Sequence, residues 1–518
     1  MSTHGAYTSL QSLTGATDGG NSQAELVQGS DGSFYGTTEY DSAVSGGYGT
    51  VFQISTNGVL NSLYSFTPVN DGDIPNAGLV QGSDGNFYGT TLYGGTNGSG
   101  TVFKITPNGV LTSLYSFTCG NDSGNPLAGL VQGSDGNFYG TTPGCSYFSP
   151  VKGTVFKISS NGALTTLYSF TGGYEGRGVG PSRLVQGSDG YFYGTTYAGG
   201  TNNVLPGGCG TVFKISSNGA LTSLYSFGSV LDANGVPLDG ANPVAGLVQG
   251  SDGNFYGTTG STVFQMTPAG ELTTLASFGS PSALVQGSDG YFYGTTSSTV
   301  FKISTNGALT TLCGLGGQVG EYPGAGLVQG SDGNLYGTTD DGGPGGAGTV
   351  FRLTIVPEFQ AVTLTNRTLS LTWSTEAGGT YQLQWSADLS SSNWTNLRGP
   401  VTAAGATLIT TDSVTNAPQR FYRLVLLPEG PDPHTRGLRH ARCRRAHQRR
   451  PALTGSERHN FPDSGLARMT QAASALRTTR SSPAPKAQTT SSAPWQVPRQ
   501  PIVDIWRRSR RALRFIGH

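Results

Sequence analysis

The sequence predicts an all-β protein: a seven-bladed β-propeller closed by an N-terminal strand, then a small Ig/FnIII-like β-sandwich and a disordered basic tail. Three observations predict this. The composition favours strands and tight turns, one unit recurs seven times, and a lone strand precedes the first copy.

Among 518 residues, Gly reaches 81 and charged residues only 12%. Aromatics still make up 10%, enough to build a core rather than a disordered chain. The formal net charge of zero hides two halves. Residues 1–427 carry 12 Lys+Arg against 25 Asp+Glu, and residues 428–518 carry 18 against 5. An acidic body argues against nucleic-acid binding, which needs basic groups to meet phosphates. No run approaches the ~18 apolar residues of a membrane-spanning helix. The opening residues, Met1 to Tyr7, lack the basic and apolar segments of a signal peptide.

The repeat is the strongest signal. Leu-Val-Gln-Gly-Ser-Asp-Gly starts at Leu26, Leu79, Leu130, Leu184, Leu247, Leu284 and Leu327. Each copy continues into Phe/Leu-Tyr-Gly-Thr-Thr, and after a variable gap into Thr-Val-Phe. In six copies a short turn ending in Gly then leads to a run such as Leu164-Thr-Thr-Leu-Tyr-Ser-Phe170. Each copy is expected to form four antiparallel strands. Gly-Ser-Asp-Gly makes the first hairpin, where Gly supplies a positive φ, and Asn-Gly makes the last. Four strands per roughly 50 residues describe a propeller blade. The seventh copy lacks a fourth strand, while Tyr7–Leu13 matches the fourth-strand pattern ahead of the first copy. That strand is expected to complete the seventh blade and close the ring over residues 1–355.

Strand order puts the uniform Gly-Ser-Asp-Gly and Asn-Gly turns on one face and the variable connections on the other. Candidate ligand-binding aromatics on the variable side are Tyr40, Tyr48, Tyr93, Tyr147, Phe148, Tyr174, Tyr197 and Tyr322. Exposed aromatics beside acceptors suit sugars or protein surfaces. The alternative is that they pack against their own loops. No His lies between residues 5 and 433, which removes His-based general bases and most zinc sites from the body. No catalytic residue, metal or cofactor is therefore expected. A rival enzyme reading leaves only Glu39, Asp41, Arg177, Asp340 and Asp341 as loose candidates. The seven turn aspartates are expected to be structural, since one carboxylate per turn cannot supply the six to eight oxygens of a calcium site. Cys119 and Cys145 map to one face of neighbouring blades and are either a disulfide or two free thiols.

Residues 356–427 hold alternating runs around Trp373, Trp385 and Trp394, expected to fill the core of the sandwich. Residues 428–518 hold 17 Arg with no persistent period, which predicts disorder.

The unit Ser-Asp-Gly-x-Phe-Tyr-Gly-Thr-Thr, followed by Gly-Thr-Val-Phe-Lys-Ile, resembles the GloVer tandem repeat of bacterial "choice-of-anchor" proteins. The resemblance covers about residues 5–355. It implies an extracellular or cell-surface protein and carries no activity with it. No signal peptide or anchor is visible in the chain. The expectation is a non-enzymatic, monomeric binding or adhesion module whose partner is a glycan or a surface protein. The alternatives are a propeller-type polysaccharide lyase or hydrolase and a purely structural surface protein.

Overall fold

The computed structural model describes residues 5–40, 47–145, 153–171, 182–202, 204–205, 207–355, 359–365, 368–375, 380–387, 394–404, 407–413, 419–426 and 515–516. The chain divides into a unit of residues 1–428 with 511–518, and a unit of residues 429–510 that lies outside the described residues. The described residues are almost wholly β, with one short 3-10 turn at Gly317–Val319.

Seven four-stranded antiparallel sheets account for the repeats. Six are formed by consecutive strands of one copy. In the first, Val27–Gln28, Phe34–Thr38, Thr50–Ile54 and Leu60–Ser65 pair in sequence order. The seventh sheet is completed from the other end of the chain. Gly5–Ser12 pairs antiparallel with Thr349–Ile355, from Gly5 opposite Ile355 to Ser12 opposite Thr349, with an irregularity between Ser9 and Gln11. The Tyr7 ring stacks on Phe351 at 5.2 Å, and Leu13 just beyond the strand is fully buried.

The invariant residues explain how one sheet joins the next. The strand-one Gln accepts the turn Ser N–H of the preceding copy at 2.8–2.9 Å, from Gln81 on Ser30 through to Gln329 on Ser288. The same contact runs from Gln28 of the first copy to Ser331 of the last, at 2.8 Å. The strand-two Tyr lies against the strand-two Phe of the following copy with centroids about 4 Å apart, as in Tyr88 and Phe138. Tyr336 of the last copy meets Phe34 of the first in the same way. The core is accordingly a series of apolar clusters, each shared by two neighbouring sheets and almost fully buried.

The turn aspartates are held inside this frame. Each accepts the hydroxyl of the strand-two Tyr at 2.6–2.9 Å and the backbone N–H two residues on. Burial, with Asp31 beside it, pushes the Tyr35 hydroxyl up to about 12. The turn glycine takes the left-handed backbone that spares it a Cβ clash, with φ 82° at Gly32 and 79° at Gly136.

Beyond residue 355, Phe359–Thr365, Thr368–Ser374 and Thr407–Ser413 form a three-stranded sheet. Thr380–Ser386 pairs with Gln419–Leu426 and with two short strands in another. Leu369, Leu371, Trp373, Leu383 and Tyr422 form their shared core. Trp373 donates its indole N–H to Thr410 at 3.0 Å. Trp385 and Trp394 sit half-buried at its edge, under the guanidinium groups of Arg420 and Arg423 at 4.6 and 4.3 Å.

Candidate functional site

Because the turn Asp, Ser, Gln and Tyr side chains are engaged in the scaffold, the candidate site lies where the copies differ. Those positions cluster on the variable side, around the chain leading into strand one and the residues that follow Thr-Thr.

In five copies the lead-in segment turns sharply five residues before the strand-one Leu. Asn21, Ile74, Asn125, Asn242 and Tyr322 occupy this position with φ between 52° and 57°. Its side chain or backbone ties the lead-in to the end of strand two. Asn125 donates to the Leu92 carbonyl at 3.0 Å, and Asn242 to the Tyr197 carbonyl at 2.9 Å.

These ties place the expected aromatics. Tyr93, Tyr197 and Tyr322 are 46%, 47% and 55% exposed, and Tyr40 is 36% exposed. The Tyr40 ring lies close over Gly15 and Gly20, where no side chain could fit beneath it. Tyr48 differs from the expectation of an exposed contact residue. It is half-buried against the cluster of Tyr35, Val51 and Phe66, because the strand that follows it turns inward at once. Tyr147, Phe148 and Tyr174 lie outside the described residues, as do Asp41 and Arg177.

Cys119 and Cys145 form a disulfide with Cα atoms 5.7 Å apart. It ties the connection after copy two's last strand to the loop after strand two of copy three.

The structure brings together two of the loose acids. Glu39 follows strand two of the first copy and Asp340 follows strand two of the last. Asn76 donates its amide N–H to Glu39. Burial, then the negative charge of Asp340, pushes the Glu39 carboxyl up to about 7. Burial and Asp341 raise Asp340 as well, partly offset by the amides of Gln23 and Asn21. Its Oδ1 is buried without a hydrogen-bond partner. No group of three or more metal-type ligands occurs among the described residues.

Two features were not anticipated. The lead-in and first strand of all seven copies line one cavity of about 590 Å³. Glu25 and Arg183 project into it from copies one and four, with Arg183 Nη1 3.6 Å from Glu25 Oε2. The signal was present in the repeats. The residue before the strand-one Leu is Gly in four copies and Ala in one, and charged only at these two positions. The second feature is the connection between copies four and five. There Leu231 bridges Pro237 in a small hairpin that leaves Val230, Leu231, Val236 and Leu238 exposed.

The profile of the Gloeobacter/Verrucomicrobia repeat matches residues 1–147 and 120–298, more than half of the chain. The chain belongs to this repeat family. The match covers the side chains used in the contacts among the first six copies. No curated protein matches the chain. Among solved structures, two extracellular domains assigned to hybrid two-component systems of B. thetaiotaomicron are similar in part. Each is 9% identical, with TM-scores of 0.47 and 0.44 over 82% of this chain. The alignments span 57% and 56% of those two chains. A gluconolactonase from Xanthomonas campestris is 16% identical, with a TM-score of 0.33 over 52% of this chain and 82% of its own.

Proposed function

We propose that this member of the repeat family is a non-enzymatic, extracytoplasmic binding module, a closed seven-bladed propeller followed by an Ig/FnIII-like sandwich, that grips a glycan or a surface protein with its variable face. The observation that carries this reading is the division of labour between the faces. The repeated polar side chains are engaged in scaffold contacts, whereas the variable face leaves Tyr93, Tyr197 and Tyr322 half-exposed on hydrogen-bonded backbone. Rigidly mounted aromatics bind with little ordering cost. Ring closure is supported by the Gln28–Ser331 and Tyr336–Phe34 contacts, which repeat between last and first copies what holds the others together. The Cys119–Cys145 disulfide supports an oxidising compartment.

Polysaccharide and surface-protein capture by the full chain tests this reading. Capture should weaken at least about tenfold when Tyr93 and Tyr197 are both replaced by Ala, since truncating an aromatic anchor of an interface costs about 2 kcal/mol or more. Capture that ignores both replacements, or turnover of a polysaccharide, overturns it.

The adjacent Glu39 and Asp340 favour a second reading, acid–base chemistry on a polysaccharide. Two neighbouring carboxyls, one raised to about 7, match the pattern of such sites. Product release from uronate-containing and neutral polysaccharides, abolished by Glu39→Gln, is the observation that would establish it.

A further inference from the structure

We propose that the seven-copy cavity is a binding pocket for a uronate, a sugar carrying a carboxylate, held by Arg183 with Glu25 beside it. This rests on the glycan-binding reading and names the class of ligand.

The argument begins with asymmetry. A repeat protein that needed only a packed axis would carry the same small residue in every copy. Five copies do, with Gly78, Gly129, Gly246, Ala283 and Gly326 before the strand-one Leu. Glu25 and Arg183 stand out, and the neighbouring glycines give them room. A Cβ on Gly326 would lie 2.2 Å from Glu25 Oε1, and one on Gly246 would lie 3.3 Å from the Arg183 Cβ. Copies one and four are three steps apart in the series of seven, so the two side chains approach from well-separated walls.

They do not consume one another. At 3.6 Å the pair attracts but makes no hydrogen bond, and among the described residues neither side chain has another hydrogen-bond partner. Their side chains remain 41% and 32% exposed to the cavity. Arg183 therefore presents an unused fork of N–H donors, the geometry that takes a carboxylate through two parallel bonds. Burial raises the Glu25 carboxyl in spite of Arg183, so it gains from any hydroxyl donated to it. Leu127 and Val244 add apolar surface for the C–H faces of a ring, while the amides of Asn76 and Gln23 on the same lining are already spent on Glu39 and Asp340. The volume of about 590 Å³ falls within the ~300–1,000 Å³ of small-molecule pockets and admits one or two sugar rings. One cation beside one acceptor, between apolar walls, fits a molecule with one carboxylate and several hydroxyls.

Calorimetry on the full chain tests the proposal with D-glucuronate, a glucuronate-ended disaccharide, D-glucose and acetate. Glucuronate or the disaccharide should bind at least about tenfold more tightly than glucose or acetate, because a charge-assisted contact is worth about 1.5–3 kcal/mol. The stronger of the two identifies the free sugar acid or the chain end as the natural form. Arg183→Gln should lose about tenfold or more, and Arg183→Lys, which keeps charge without the fork, should fall between. Melting curves establish that each variant is folded; should Arg183→Gln fail to fold, Arg183→Lys and Glu25→Gln carry the test. Absence of uronate binding, unchanged binding by Arg183→Gln, or acetate binding as tightly as glucuronate overturns the proposal. Glycan capture that depends on Tyr93 and Tyr197 while uronates fail to bind would sink this inference and leave the module reading intact.

Discussion

The turn face and the variable face are built from the same seven copies, yet they spend their polar groups differently. On the turn face, each Asp, Ser and Gln is matched to a fixed partner in its own or the neighbouring copy. On the variable face, acids crowd one another between the first and last copies, buried carboxylate oxygens of Asp239 and Asp340 have no hydrogen-bond partner, and tyrosines stand half in solvent. Local satisfaction is a mark of scaffold, and unsatisfied groups held on a rigid frame are a mark of function.

The largest effect is expected at the seventh sheet, where the two ends of the repeats pair. Removing residues 1–15 deletes the fourth strand of the seventh sheet and exposes the edge of Thr349–Ile355. The melting temperature should drop by at least about 10 °C, or the protein should fail to fold, because a strand's buried apolar surface and its ladder bonds go together. An unchanged melt would show that the ends do not hold the scaffold.

Cys145→Ser probes the variable face. A crosslink spanning 26 residues is worth about 3 kcal/mol by loop-closure entropy. Thermal denaturation with and without reductant should show the loss in the parent, and no further loss in the variant. Equal melts of the parent in both conditions would remove the disulfide as a brace.

Asp135→Ala probes the turn face at one copy. It strips acceptors from the Tyr139 hydroxyl, the Asn137 N–H and the Asn137 amide. The expected cost is about 2 kcal/mol, a fall of about 3–4 °C in a melt. The same variant and its parent should melt identically with and without a calcium chelator, since the aspartate serves its own hairpin. A chelator-sensitive melt would return the turns to the class of cation sites.

How much of this was legible in the residues depended on repetition. Seven identical strings disclosed the strand count per copy, and the spare Tyr7–Leu13 run disclosed the completion of the last sheet. The partner of each Gln and Ser was hidden, because those contacts join residues from different copies, typically about 50 positions apart. The site was harder still. Aromatics in long loops were conspicuous, but Tyr48 turned inward as its strand began. The Glu25–Arg183 pair was written plainly in the position before Leu. Its signature is two charged residues in a column of small ones, too slight beside the repeated strings to mark a pocket.

The smallest expected effect bears on the acids between first and last copies. The Glu39 carboxyl rises from 4.5 in its ordinary state to about 7 in the folded protein. A raised carboxyl contributes stability at low pH that is lost as pH climbs. The unfolded chain gives up this proton near 4.5 while the folded chain keeps it until about 7, so stability should decline between those values and level off above them. Glu39→Gln keeps an acceptor for Asn76 and cannot ionise. It should match the parent near pH 4.5 and exceed it at pH 8 by about 1 kcal/mol, reduced from the full linkage value because the group is only partly buried. Urea midpoints across pH 4–8 measure this directly. Parallel curves for parent and variant would mean that Glu39 is comfortable where it sits. A variant that gains stability at pH 8 would show that the variable face keeps a charge at the expense of the fold, as functional sites do.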